Sequence, residues 1–144
     1  MKKALALLLT LIISIPYFSV LSAAHDTVIN EEIIVMDITS AEKRSILSIN
    51  ANNRATCNSF FSDINSNIYS IKANQTLEKH WAFGVFFAVD NANWERTVYT
   101  DTLSMTNYKY NLDSGTYRLK TEFTVTLVGN QTETITVYSN EVTI

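Results

Sequence analysis

Leu112-Asp113-Ser114-Gly115-Thr116-Tyr117-Arg118-Leu119-Lys120-Thr121-Glu122-Phe123-Thr124-Val125-Thr126-Leu127 is the stretch that decides the fold. From Tyr117 the odd positions are core candidates: Tyr117, Leu119, Thr121, Phe123, Val125 and Leu127. The even positions carry Arg118, Lys120, Glu122, Thr124 and Thr126, and Arg118 is expected to face solvent. Such alternation predicts a strand with one buried face. Before it stands a turn, in which Asp113 and Ser114 bond nearby backbone and Gly115 takes positive φ without steric cost. Leu112, Gly115 and Tyr117 have the spacing of a tyrosine corner, in which the Tyr hydroxyl bonds a backbone group just upstream.

Working outward, the sequence predicts six further strands. They are Thr56–Ile64, Asn67–Thr76, Trp81–Val89, Trp94–Leu103, Met105–Leu112 and, after a hairpin turn at Gly129-Asn130-Gln131, Glu133–Ile144. Trp81–Val89 is the most apolar of these, and its odd face (Trp81, Phe83, Val85, Phe87, Val89) is expected inside. Asp90-Asn91-Ala92-Asn93 reads as the turn that follows it. The last strand changes parity between Ile135/Val137 and Val142/Ile144, which requires a bulge within about Tyr138–Glu141. Seven strands at intervals of about ten residues predict an all-β, antiparallel, seven-stranded immunoglobulin-like sandwich.

The N-terminus reads as a secretory signal peptide, residues 1–24. A basic start, Met1-Lys2-Lys3, leads into an apolar run and ends at the small residues Ser22-Ala23-Ala24. An uncleaved anchor is the alternative. Removing Lys2 and Lys3 takes Lys+Arg from 11 to 9 against 14 Asp+Glu, a net charge of −5. That balance argues against nucleic acid and anionic membranes, so membrane contact is expected only through the signal segment. Residues 25–54 read as a weakly ordered leader arm or a pro-segment. Within it, Thr39-Ser40-Ala41-Glu42 suggests a capped helix from Ser40 to about Leu47, and Asn50-Ala51-Asn52-Asn53 a polar linker. The sandwich domain is assigned to residues 55–144.

Arg54-Ala55-Thr56, Trp94 after an Asn-rich turn, Gly115-Thr-Tyr117-Arg118 and Glu133-Thr-Ile-Thr-Val-Tyr138-Ser139 together resemble small, signal-bearing proteins of Gram-positive bacteria. The resemblance covers roughly residues 54–144. It implies a sandwich and export, and no activity. The Phe-rich Val85-Phe86-Phe87 departs from it.

Candidate chemistry is sparse. Ser40-Ala41-Glu42-Lys43 has the S-x-x-K spacing of a penicillin-recognising nucleophile but lacks every partner of that site. Cys57 with His80 lacks a third, orienting group. The single cysteine excludes an internal disulfide; Cys57 is expected buried, with an intermolecular disulfide as the alternative. Asp90, Asn91, Asn93 and Glu95 lack the loop glycine of an EF-type calcium site, and one Cys with two His makes no closed zinc site, so no metal or cofactor is expected. Asn74-Gln75-Thr76 and Asn130-Gln131-Thr132 read as turn residues. Trp94, Tyr99, Tyr108 and Tyr110 remain as candidate ligand-binding residues, on two consecutive strands. The expectation is a secreted or cell-envelope, monomeric, non-enzymatic binding module. Its partner is expected to be a protein or, alternatively, a carbohydrate stacked on exposed Trp and Tyr.

Overall fold

Eight strands account for the regular structure of the described residues, 41–64 and 67–144, in a computed structural model of the chain. The expected signal peptide and residues 25–40 of the arm lie outside them. All described residues belong to one unit, Ile34–Ile144. The strands are β1 (Glu42–Ile49), β2 (Ala55–Ser62), β3 (Ile68–Ala82), β4 (Val85–Val98), β5 (Thr102–Lys109), β6 (Thr116–Leu127), β7 (Thr132–Tyr138) and β8 (Val142–Thr143). They form two antiparallel sheets. One has the order β1-β2-β5; the other has β4-β3-β6-β7, with β8 pairing the start of β6. Inward-facing side chains from both sheets make the core between them, so the architecture is a β-sandwich.

β6 matches its sequence pattern residue by residue. Tyr117, Leu119, Thr121, Phe123, Val125 and Leu127 are buried, and the even positions are partly exposed. The Tyr117 hydroxyl donates to the Asp113 carbonyl at 2.6 Å. Leu112 is buried, and its N–H donates to the Asn53 carbonyl. Gly115 exchanges both backbone hydrogen bonds with Ile144. A Cβ at Gly115 would sit 2.5 Å from Lys79 Cε, so a larger residue there would push aside the flexible end of that lysine.

Residues 42–49 form a strand of the sandwich, not the expected helix, and Asn50–Asn53 is the hairpin turn into β2, not a linker. The Asn50 side chain accepts the N–H groups of Asn52 and Arg54, and Asn53 has φ 53°. Inward Ser45 hides the alternation of β1. Its hydroxyl is buried, so a polar residue occupies a core position and the hydrophobic pattern loses a beat. Pairing with β2 then outweighs the local capping preference.

The second correction concerns Trp81–Val89. It is not one buried strand. β3 extends past Thr76 to Ala82, the chain reverses at Phe83-Gly84, and β4 returns. Asp90–Asn93 is no turn but part of a wide bulge inside β4, where Leu77 of β3 faces four residues, Val89 to Ala92. Asn91 accommodates it with φ 53°, and Ala92 is fully buried. Level with that bulge across the sheet, β7 and β8 are interrupted at Ser139–Glu141, where the parity change requires it, and the Ser139 hydroxyl accepts from the Leu119 N–H.

The core has two apolar halves. One contains Phe61, Ile71, Leu103, Phe123 and Val125; the other contains Leu47, Cys57, Leu77, Tyr117 and Leu119. A buried polar belt joins both sheets. Gln75 donates to Ser59 Oγ at 2.6 Å, Ser59 and Thr121 share a hydrogen bond at 2.7 Å, and Ser45 and Thr121 share one at 3.0 Å. Gln75 Oε1 accepts from Asn107 Nδ2 at 2.8 Å. Asn74-Gln75-Thr76 is therefore mid-strand, not a turn, and Gln75 is a fully buried amide with its hydrogen bonds met.

Candidate functional site: the β3–β4 hairpin

The last residue pair of β3 with β6 is Lys79↔Tyr117, and Lys79 also pairs Phe87, so His80–Phe86 project beyond that pairing. Two paired levels, His80↔Phe86 and Ala82↔Val85, and the turn beyond them, at about 3.3 Å each, give a projection of about 10 Å. The nine residues Trp81–Val89 carry no charge. Four of the five side chains expected to be interior are instead open to solvent, Trp81 at 76% exposed, Phe83 101%, Phe87 57% and Val85 44%, whereas Val89 packs against the core.

Two local distortions set this display. Phe83 and Gly84 have φ 51° and 77°, the pattern of a two-residue type I′ hairpin turn. Gly is suited to its position; Phe at positive φ is disfavoured by about 1 kcal/mol or more. Trp81 is the additional residue in a bulge, since His80 pairs Phe86 and Ala82 pairs Val85. A bulge re-aims the side chain it carries. Trp81 meets Phe87 edge-on, with ring centroids 6.1 Å apart. The turn is closed by the Gly84 N–H, which donates to His80 Nε2 at 3.2 Å.

The other face of the hairpin is anchored. The Arg118 guanidinium lies 3.9 Å from the Phe86 ring centroid and 4.3 Å from that of Tyr138, and it bonds Glu78 at 2.7 Å. Arg118 is therefore half-buried between two rings, against the expectation that it faces solvent. His80 packs edge-on against Phe86.

At the base of the hairpin a cleft of about 510 Å³ opens between it and the β5–β6 connection. Trp81 and Phe87 line one side; Lys79, Asp90, Lys109, Asn111 and Asp113 contribute the polar lining. Lys109 Nζ donates to the Asp90 carbonyl at 2.7 Å, which ties β5 to the β4 bulge.

The four aromatics singled out from the sequence do not share a face. Trp94 lies opposite Gln75 and packs inward against both halves of the core. Tyr99 is exposed beside Tyr69, at the end of the sandwich away from the hairpin. Tyr108 and Tyr110 are exposed neighbours at the end of β5, with the Arg54 guanidinium 5.2 Å from the Tyr108 ring centroid. The hairpin aromatics were missed because an unbroken apolar run reads as a buried strand. The signal that marks the reversal is Gly84, one of three glycines in the chain.

Cys57 and His80 form no pair. Cys57 is fully buried in the core, where desolvation pushes its thiol up to about 12, and His80 holds the hairpin turn. Among the described residues no three His, Cys, Asp or Glu side chains converge as a metal site. Comparisons with protein-family models, curated proteins and solved structures find no match to this chain.

Proposed function

We propose that this chain is an exported, non-enzymatic binding module that works in the extracellular or cell-envelope space through its β3–β4 hairpin. The observation that carries this reading is the hairpin tip, where a strained Phe83 and a bulged Trp81 stand in solvent within a stretch, residues 81–89, that carries no charge. Contiguous exposed apolar surface on a soluble domain marks an interaction site, and backbone strain that persists there is a cost the fold does not need for its own core. The sandwich is proposed to be immunoglobulin-like. Two features support this: the order β1-β2-β5 over β4-β3-β6-β7, and the Tyr117 hydroxyl on the Asp113 carbonyl, the bond of a tyrosine corner. Export is supported by the sequence of residues 1–24.

A carbohydrate is the second reading, favoured by the cleft that sets Trp81 and Phe87 beside Asp90, Asn111 and Asp113. Aromatic walls with a few polar groups suit a sugar ring. The experiment compares the mature protein with a Trp81→Ser/Phe83→Asn variant for binding to an isolated bacterial cell-envelope fraction. Saturable binding lost in the variant, with melting temperature retained, is expected. Equal binding by both proteins refutes the hairpin as the contact. Change in Trp fluorescence on titration with a soluble glycan panel would select the carbohydrate reading.

A further inference from the structure

We propose that the hairpin tip inserts into the interface of a lipid bilayer, Phe83 leading, and that the surface it recognises is zwitterionic lipid. This rests on the reading of the hairpin as the binding element and names its partner.

Area separates a bilayer from a protein. A whole aromatic side chain covers about 150–250 Å². The exposed shares of Trp81, Phe83 and Phe87 then amount to roughly 500 Å². A standard protein interface needs about 800 Å² from each side. Two copies meeting tip to tip would fall short by the same measure. A bilayer needs no complementary surface, because each apolar side chain contributes its own transfer free energy.

Shape agrees. Phe83 leads at the tip, Val85 is exposed beside it, and Trp81 and Phe87 meet edge-on, not coplanar. A sugar ring needs a flat platform; an apolar medium accepts side chains at any angle. Backbone polar groups must be satisfied before a hairpin enters that medium. Here Ala82 pairs Val85 and the turn N–H of Gly84 is taken by His80 Nε2, whereas the outward backbone groups of both arms have no strand partner, which holds the hairpin in the hydrated interface and out of the hydrocarbon core. The projection of about 10 Å suits the 5–10 Å depth of interfacial insertion.

Charge selects the lipid class. The tip is uncharged, and behind it the cleft presents Lys79 and Lys109 alongside Asp90 and Asp113. Two cations and two anions in one cleft favour neither sign of surface charge, which suits headgroups that themselves carry both. The net charge, −3 for the full chain and −5 without Lys2 and Lys3, gives no attraction to anionic lipid.

The test uses the mature protein and vesicles of phosphatidylcholine. Trp81 is the exposed tryptophan and Trp94 the packed one, so insertion should shift emission to the blue through Trp81. Phe83→Asn removes the leading ring and gives the type I′ turn its favoured residue, so this variant should melt at or above the parent. Expected are co-sedimentation with neutral vesicles, insensitivity to salt, and a roughly tenfold or greater loss of partitioning in Phe83→Asn. Three results would overturn the proposal: no binding to neutral vesicles at millimolar lipid, binding only to anionic vesicles at low salt, or equal binding by Phe83→Asn. If the first arises while envelope binding still depends on the hairpin, the binding-module reading stands and the lipid assignment falls. Loss of envelope binding after protease treatment would transfer the partner to protein.

Discussion

Gln75→Leu tests the polar belt. Leucine has a similar volume, so little cavity forms and the effect is largely one of hydrogen bonding. The amide makes two short side-chain bonds, to Ser59 Oγ at 2.6 Å and from Asn107 Nδ2 at 2.8 Å. Its contacts with the Cys57 and Met105 carbonyls, at 3.3 and 3.4 Å, are at the limit of useful length. After substitution Ser59 keeps Thr121, whereas Asn107 loses its partner in a half-buried place. One such unsatisfied group costs about 1–3 kcal/mol. For a domain of this size that is a fall in melting temperature of about 4–12 °C. Urea denaturation should show a lower midpoint with an unchanged slope. The sharper measurement is a double-mutant cycle with Ser59→Ala. Removing both ends of one buried bond should cost less than the two single losses together, with a coupling of about 1 kcal/mol. A Gln75→Leu protein that melts with the parent, or a cycle additive within about 0.5 kcal/mol, would refute the belt as a coupled network.

Tyr117→Phe keeps a buried ring but leaves the Asp113 carbonyl without its 2.6 Å partner; it should lose about 1–3 kcal/mol in thermal or urea unfolding. Arg118→Ala removes contacts to Phe86, Tyr138 and Glu78 together, and equilibrium unfolding should show a loss of about 1–2 kcal/mol where an ordinary surface change stays within about 0.5. Cys57 is raised from 9.0 to about 12 by burial, so its contribution to stability is complete below pH 9 and is lost as the pH rises from 9 towards 12. Parent and Cys57→Ala proteins compared by urea unfolding across that range should show the steeper alkaline decline in the parent, and a thiol reagent should label native Cys57 only as fast as the protein opens.

β6 was legible because its side chains alternate without exception, and the parity change near Ser139 was legible because it needs only counting. β1 was not, since Ser45 sits inside and its partners, Thr121 and Leu119, are more than seventy residues away along the chain. No local pattern encodes a hydroxyl that is satisfied across the sandwich. Gln75 was hidden for the same reason. The hairpin failed differently. Apolarity there predicted burial, and burial is the usual fate of such a run; a surface-exposed aromatic tip departs from the rule that hydrophobic pattern follows the core. Trp94, chosen as a surface residue, is packed because the bulge from Val89 to Ala92 resets which side chains of β4 point inward. Only Gly84 marked the reversal, and a lone glycine fits a strand bulge as well as a turn.

That bulge has a bearing on how the molecule behaves in a crowd. β4 is the outer strand of its sheet, so its free backbone groups could template a second chain. A long flat edge ending in an apolar tip would seed fibrils through the tip and extend them along the edge. Four residues facing one break that edge into two short runs, Val85–Ala88 and Asn93–Val98, out of register with each other. The second run carries Glu95 and Arg96, both exposed. A neighbouring strand can follow neither run far before meeting the bulge or a charge. The strand that presents the sticky hairpin therefore offers a second chain only short lengths of edge to pair with.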